Sequence, residues 1–180
     1  MQRIAVPRAR ANIQAMNKAF VREPDVEVPE RLAELPVPPP PNLVTSWGLR
    51  QITASIEDLD RRLAMKAEAG LDPDEVARLQ RDRRYWTARF ATAQLTDAPP
   101  DPDEIGFGSE VTVAWPGRGE VTLRIVGEDE ADPNHGLVGW RAPVATALAG
   151  NSTGDEVDIE LAGRQIRLAV LAVRNARNVD

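Results

Sequence analysis

The residues with chemistry to offer gather in two acidic stretches. Asp72-Pro73-Asp74-Glu75 sets three carboxylates within four positions, and carboxylate oxygens at that density suit a hard divalent cation such as Mg²⁺. The same residues also write a helix start. Aspartate stands at the N-cap, proline at the first helical position and glutamate three residues after the cap, while the helix dipole favours Asp74. Capping, and metal sharing through Asp72 and Glu75, are both open from the residues alone. The second stretch, Glu128-Asp129-Glu130-Ala131-Asp132, reads by itself as a solvated acidic loop. Composition removes most other chemistry. There is no cysteine, hence no thiol nucleophile, disulfide framework, iron-sulfur cluster or cysteine zinc site. A single histidine, His135, lies in the turn-like Asp132-Pro133-Asn134-His135-Gly136. It reads as a solvated turn residue and leaves a His-based metal site or a Ser-His-Asp triad without members.

The elements that must position the first stretch are two helices. Leu49, Ile52, Ile56, Leu59 and Leu63 step by three and four, which lays one apolar seam along a helix. After a break at Ala69-Gly70-Leu71, Val76, Leu79, Trp86, Phe90 and Ala93 repeat the spacing, with Arg83 at one seam position. So short a connection joins antiparallel neighbours, and the two stripes zip into a coiled-coil hairpin over residues 43–97, with arms of roughly 35–40 Å. Thr45 is the expected N-cap of the first helix. Gly48 in its first turn costs roughly 1 kcal/mol relative to alanine, which points to a close approach there.

The period then changes. An acidic, proline-rich linker over 98–104 precedes Val111, Val113 and Trp115, which alternate with polar or small residues. A Pro116-Gly117-Arg118-Gly119 turn leads to Val121, Leu123 and Ile125, a β-hairpin pattern. Further strands are expected at Leu137–Trp140, at Val157–Leu161 and after the Ala162-Gly163 turn, with a short helix over Val144–Ala149. Residues 105–175 thus read as a small antiparallel sheet with one helix packed on it, and the fold class is α+β. The tryptophans Trp47, Trp86, Trp115 and Trp140 are expected to fill cores. Residues 1–42 carry Arg3, Arg8, Arg10, Lys18, Arg22 and Arg31 and then Leu35-Pro36-Val37-Pro38-Pro39-Pro40-Pro41. They read as an extended or disordered leader. A proline-peptide ligand and a basic nucleic-acid contact are the sharper alternatives.

With 22 Lys+Arg against 28 Asp+Glu the formal net charge is -6, which argues against a primary nucleic-acid binder and for a protein partner. No apolar run has the length to span a bilayer, and residues 1–15 lack the apolar core of a secretory signal. A cytoplasmic monomer is the expectation.

Four motifs in order carry a resemblance. Ile105-Gly106-Phe107-Gly108-Ser109-Glu110-Val111, Ile125 to Pro133, Pro143 to Gly150 and Gly154-Asp155-Glu156-Val157 resemble the C-terminal domain of the bacterial GreA/GreB transcription elongation factors. Val44-Thr45-Ser46-Trp47-Gly48-Leu49 is similar to the family's opening of the first coiled-coil helix, and Ala93-Gln94-Leu95 to the end of the second. Lys18 to Glu23 and Pro41 to Thr45 look like the leader of a GreB-like proteobacterial subgroup with a shortened coiled coil. The resemblance implies an FKBP-like C-terminal domain docked at the RNA polymerase secondary channel, with the coiled coil inserted towards the active site. It implies an accessory factor rather than an enzyme, with no intrinsic cofactor. Nucleic acid is then met only indirectly. In cleavage-competent members a tip Asp and Glu share a Mg²⁺ with the polymerase, which itself hydrolyses backtracked RNA; the matching candidates here are Asp72, Asp74 and Glu75. Val76-Ala77-Arg78-Leu79 stands where Asn-Ala-Glu-Tyr is expected, and Ala142-Pro143 where Ser-Pro is usual. Glu128, Asp129, Glu130, Asp132, Arg141 and Pro143 become the candidates for polymerase contact. A non-cleaving competitor at the channel is the main alternative, and an FKBP-like prolyl isomerase or chaperone the remote one.

Overall fold

In a computed structural model, residues 32–66, 68 and 70–175 are described. The leader's basic positions from Arg3 to Arg31 lie outside them. Residues 32–41 run without regular structure into a three-residue strand, β1 (Asn42–Val44). Thr45 then caps α1 (Ser46–Ala64), its hydroxyl oxygen accepting from the Gly48 N–H at 3.0 Å. α2 (Pro73–Thr92) starts on Asp72, whose Oδ1 accepts from the Glu75 N–H at 2.7 Å. Both caps satisfy N–H groups that a first helical turn leaves without partners.

The two helices form the expected hairpin. Ile52 and Leu59 of α1 and Leu79 of α2 are buried, and Arg83 of α2 pairs with Asp60 of α1 across the seam. At 19 and 20 residues, the arms are roughly 28–30 Å long, shorter than expected. α1 stops at Ala64 instead of running on to Gly70, and the chain leaves α2 at Ala93 for a strand. The second stripe also departs from expectation at its C-terminal end, where Phe90 is 49% exposed and Arg89 is fully buried. There α2 no longer faces α1 but packs on the acidic turn of the second module, which rotates the buried face by one residue.

Strand β2 (Ala93–Leu95) pairs in parallel with β1, Asn42 opposite Ala93 and Val44 opposite Leu95. Three residues are too few for alternation to announce a strand, so this clasp at the hairpin base had no signal in the sequence. Asn42, buried within it, donates from Nδ2 to the Arg89 carbonyl at 2.8 Å.

The second module is a five-stranded sheet in the order β5-β4-β3-β7-β6. Its strands are β3 (Ser109–Trp115), β4 (Gly119–Val126), β5 (Leu137–Gly139), β6 (Glu156–Leu161) and β7 (Arg164–Asn175). All pairings are antiparallel, as expected, except β4 with β5, which is parallel. Alternation is the reason for the single core: Val111, Val113 and Trp115 turn inward with Leu123, Ile125, Val157, Ile159, Leu168 and Val170. α3 (Pro143–Leu148) covers them with Ala145 and Leu148, and each buried Val, Leu or Ile of this core contributes about 1.5–3 kcal/mol. The β6–β7 turn has positive φ at both Ala162 and Gly163, the two-residue geometry that matches strand twist. Because β5 runs parallel to β4, the chain must cross over between them. It does so through two single-turn 3₁₀ helices, Glu128–Glu130 and Pro133–His135. That crossover holds the second acidic stretch.

Among the tryptophans, Trp115 joins the sheet core, whereas Trp47 is 44% exposed. It faces outward from the first turn of α1, so the expectation of a core role fails for it.

Candidate functional site

The structure separates the candidate residues into two places, the hairpin tip and the hairpin base. At the tip, Asp72 and Asp74 are exposed and Glu75 is half-buried. Asp72 acts as the N-cap, and Glu75 Oε1 lies 3.6 Å from Arg62 Nη2 on α1. Gly70 supplies the left-handed turn, φ +64°, with open space around it. Among the described residues no three His, Cys, Asp or Glu side chains converge where they could hold a metal ion. Two carboxylates on a capped helix start can offer at most part of a coordination shell, so any ion there must be completed from outside the chain.

At the base, the acidic stretch is turned inward. Glu130, expected on a partner-facing surface, is buried. Its Oε1 accepts from the Thr45 N–H at 3.0 Å and the Gly127 N–H at 3.1 Å, and its Oε2 accepts from the Thr45 hydroxyl. The carboxylate lies at the positive end of α1, where a negative charge is favoured. It also accounts for Gly48: a Cβ there would sit 2.2 Å from the Glu130 carboxyl carbon. Asp129 is similarly engaged, accepting from the Tyr85 hydroxyl and from Arg89 Nε, both at 2.6 Å. Burial, and after it the hydrogen bond to Asp129, pushes the Tyr85 phenol up to about 12, because a phenolate there would be poorly solvated and would face a carboxylate. Glu128 lies 3.7 Å from Arg89 Nη2 and 3.9 Å from Arg141 Nε.

Asp132 caps the second 3₁₀ turn. Its Oδ1 accepts from the Asn134 N–H at 3.1 Å and its Oδ2 meets His135 Nδ1 at 2.6 Å; the His135 contact is the main cause that holds its carboxyl below the usual range. His135 itself is exposed, as a turn residue should be. Pro143 occupies the first turn of α3 and is exposed. Ala142 stands at that helix's N-cap with no side chain to cap it, where a serine would add roughly 1 kcal/mol. Arg141 stacks on the Trp140 ring at 4.7 Å and donates from Nη2 to the carbonyls of Pro39 and Pro41.

Glu128, Asp132, Arg141 and Pro143 are therefore the candidates left at least partly exposed, while Asp129 and Glu130 join the hairpin base to the sheet. Tyr85 and Arg89 belong to this junction and were not singled out by the sequence. Their one signal was an i,i+4 spacing one residue off the α2 seam.

Residues 99–175 match the family model described as Transcription elongation factor, GreA/GreB, C-term. Over 148 residues the chain is 38% identical to Transcription elongation factor GreA of a Nitratiruptor species, spanning 72% of this chain and 91% of that one. It is 30% identical over 127 residues to Transcription elongation factor GreB of Xanthomonas axonopodis pv. citri, spanning 69% and 74%. Among solved structures, GreA factor homolog 1 (Gfh1) of Thermus thermophilus aligns at 19% identity with a TM-score of 0.36, over 76% of this chain and 100% of that chain.

Proposed function

The chain belongs to the GreA/GreB family of transcription elongation factors, and on that premise we propose that it binds RNA polymerase at the secondary channel and regulates elongation from there. The hairpin enters the channel tip first, and the sheet module stays on the rim. The observation that carries the reading is the buried junction. Arg89–Asp129, Tyr85–Asp129 and Glu130–Thr45 tie the hairpin base to the sheet module, so a force or position imposed on the sheet is transmitted to the tip. Glu128, Asp132, Arg141 and Pro143 supply the outer contacts. The exposed Asp72 and the half-buried Glu75 would each lend a carboxylate to a Mg²⁺ held jointly with the polymerase. That ion, when bound, supplies Lewis-acid activation of water. The chain's own part is to bring those two carboxylates in on a capped helix start. It is an accessory factor in this scheme, and any RNA bond is broken in the polymerase active site.

A second reading, occupancy of the channel without cleavage, has its own support. Arg62 sits against Glu75, and Val76-Ala77-Arg78-Leu79 follows the tip carboxylates; a cation beside a ligand competes with the metal for its charge. The test uses a backtracked elongation complex. Cleavage by the intact chain that disappears in Asp72→Ala/Glu75→Ala, with binding retained, supports metal sharing. Binding that suppresses an added cleavage-active factor supports the second reading. No association with core polymerase at micromolar concentration removes both.

A further inference from the structure

We propose that residues 32–41 form an internal strap over the Trp140–Arg141 corner, and that a partner docking there must displace it. The partner is the polymerase, so this part rests on the function proposed above. A proline run has carbonyl acceptors but no N–H groups and cannot join a sheet ladder. Here two of those acceptors are met by one side chain: Arg141 Nη2 donates to the Pro39 carbonyl at 2.9 Å and to that of Pro41 at 3.2 Å. The guanidinium that does this is backed by the Trp140 ring and flanked by Glu128. It is thus a preformed corner for the backbone of an extended segment, two residues before the exposed Pro143. The far end of the strap is held as well. Glu34 accepts from Arg84 Nε at 3.1 Å and from Nη2 at 2.6 Å.

The two ends differ in how firmly they are fixed. Asn42 and Val44 are buried in the β1–β2 clasp, so the strap is anchored where it meets the hairpin. Glu34 and Arg84 are more than half exposed, and an exposed ion pair is weak and screened by salt. The strap can therefore lift from its Glu34 end while Asn42 stays in place, freeing Arg141 from Pro39 first. Arg141 serves the strap when the chain is alone and a docking partner when the strap is lifted.

The experiment uses the full chain in three forms: wild type, Glu34→Lys to repel Arg84, and Glu34→Cys/Arg84→Cys closed by a short bis-maleimide. The absence of native cysteine makes that cross-link unambiguous. Two quantities are read: phenylglyoxal modification of Arg141 by peptide mass spectrometry, and affinity for core polymerase. The released form should label Arg141 several-fold faster than wild type and bind polymerase several-fold more tightly, and the cross-linked form should do the reverse. Labelling that is equal in all forms overturns the strap. Labelling that responds while polymerase affinity stays equal overturns the competition. If no form binds polymerase but labelling still responds, the strap stands and the polymerase reading falls.

Discussion

Tyr85 condenses the junction into one titratable group. Its hydroxyl donates to Asp129, whose other oxygen accepts from the buried Arg89, so the phenol is held in its neutral form by both its surroundings and its partner. The folded pKa of about 12 lies above the ordinary phenol value of 10.0. A group whose folded pKa is raised contributes stability in full below its unfolded pKa and loses it as pH rises through the folded value. The stabilisation from Tyr85 should therefore persist up to about pH 10 and decline towards about pH 12. Because Tyr85 is the sole tyrosine, phenolate absorbance in the near ultraviolet reports it alone. The expected midpoint lies at about 12 in the folded chain and about 10 in denaturant; the lower midpoint in both would mean that the phenol is not engaged with Asp129. Tyr85→Phe should remove the alkaline decline due to this phenol and, lacking the hydrogen bond to Asp129, should melt below the wild type at lower pH.

The start of α1 shows an element assembled from two distant pieces of chain. Thr45 caps Gly48, the Thr45 N–H and hydroxyl donate to Glu130, and Glu130 also accepts from Gly127. An alanine at an ordinary position inside a helix is better than glycine by about 1 kcal/mol. Here the added methyl meets the Glu130 carboxylate, and forcing the two apart costs about 1–3 kcal/mol. Gly48→Ala should therefore destabilise the wild type in urea unfolding. Placed on Glu130→Ala, the same substitution should stabilise by up to about 1 kcal/mol. The change of sign is the test, and an effect of the same sign in both backgrounds would falsify the packing argument. Gly48 was legible as an anomaly, a glycine where helix propensity argues against one. Its occupant was not legible, because Glu130 lies in the other module and no local pattern links the two.

At the scale of the whole molecule, buried charge couples hairpin and sheet, and among the described residues the sheet's apolar cluster holds no hairpin residue. Arg89 is fully enclosed against Asp129 and Glu128. Removing one partner of a buried ion pair leaves the others uncompensated, at a cost of about 3–5 kcal/mol. Arg89→Met should lower stability by that order, and hydrogen exchange under mild denaturant should show where. In the wild type, α2 and β3 should open together; in the variant, α2 should lose protection well before β3. Equal losses in both elements would mean that Arg89 supports the modules separately and not their junction. The sequence by itself determined the two long helices, the caps at Thr45 and Asp72, the seam of α1 and the alternation of the sheet, because each is written by neighbours within a turn or a strand. It also carried the four motifs of the family. Only the tertiary structure decided that Asp129 and Glu130 face inward, that Arg89 is buried while Phe90 is exposed, and that β1 clasps β2. The inward turn of Asp129 and Glu130 and the burial of Arg89 depend on the parallel crossover between β4 and β5, which places an acidic turn against the base of the hairpin. Burial of a charge is set by what packs on it from far along the chain, and periodicity records only which residues a single element can present.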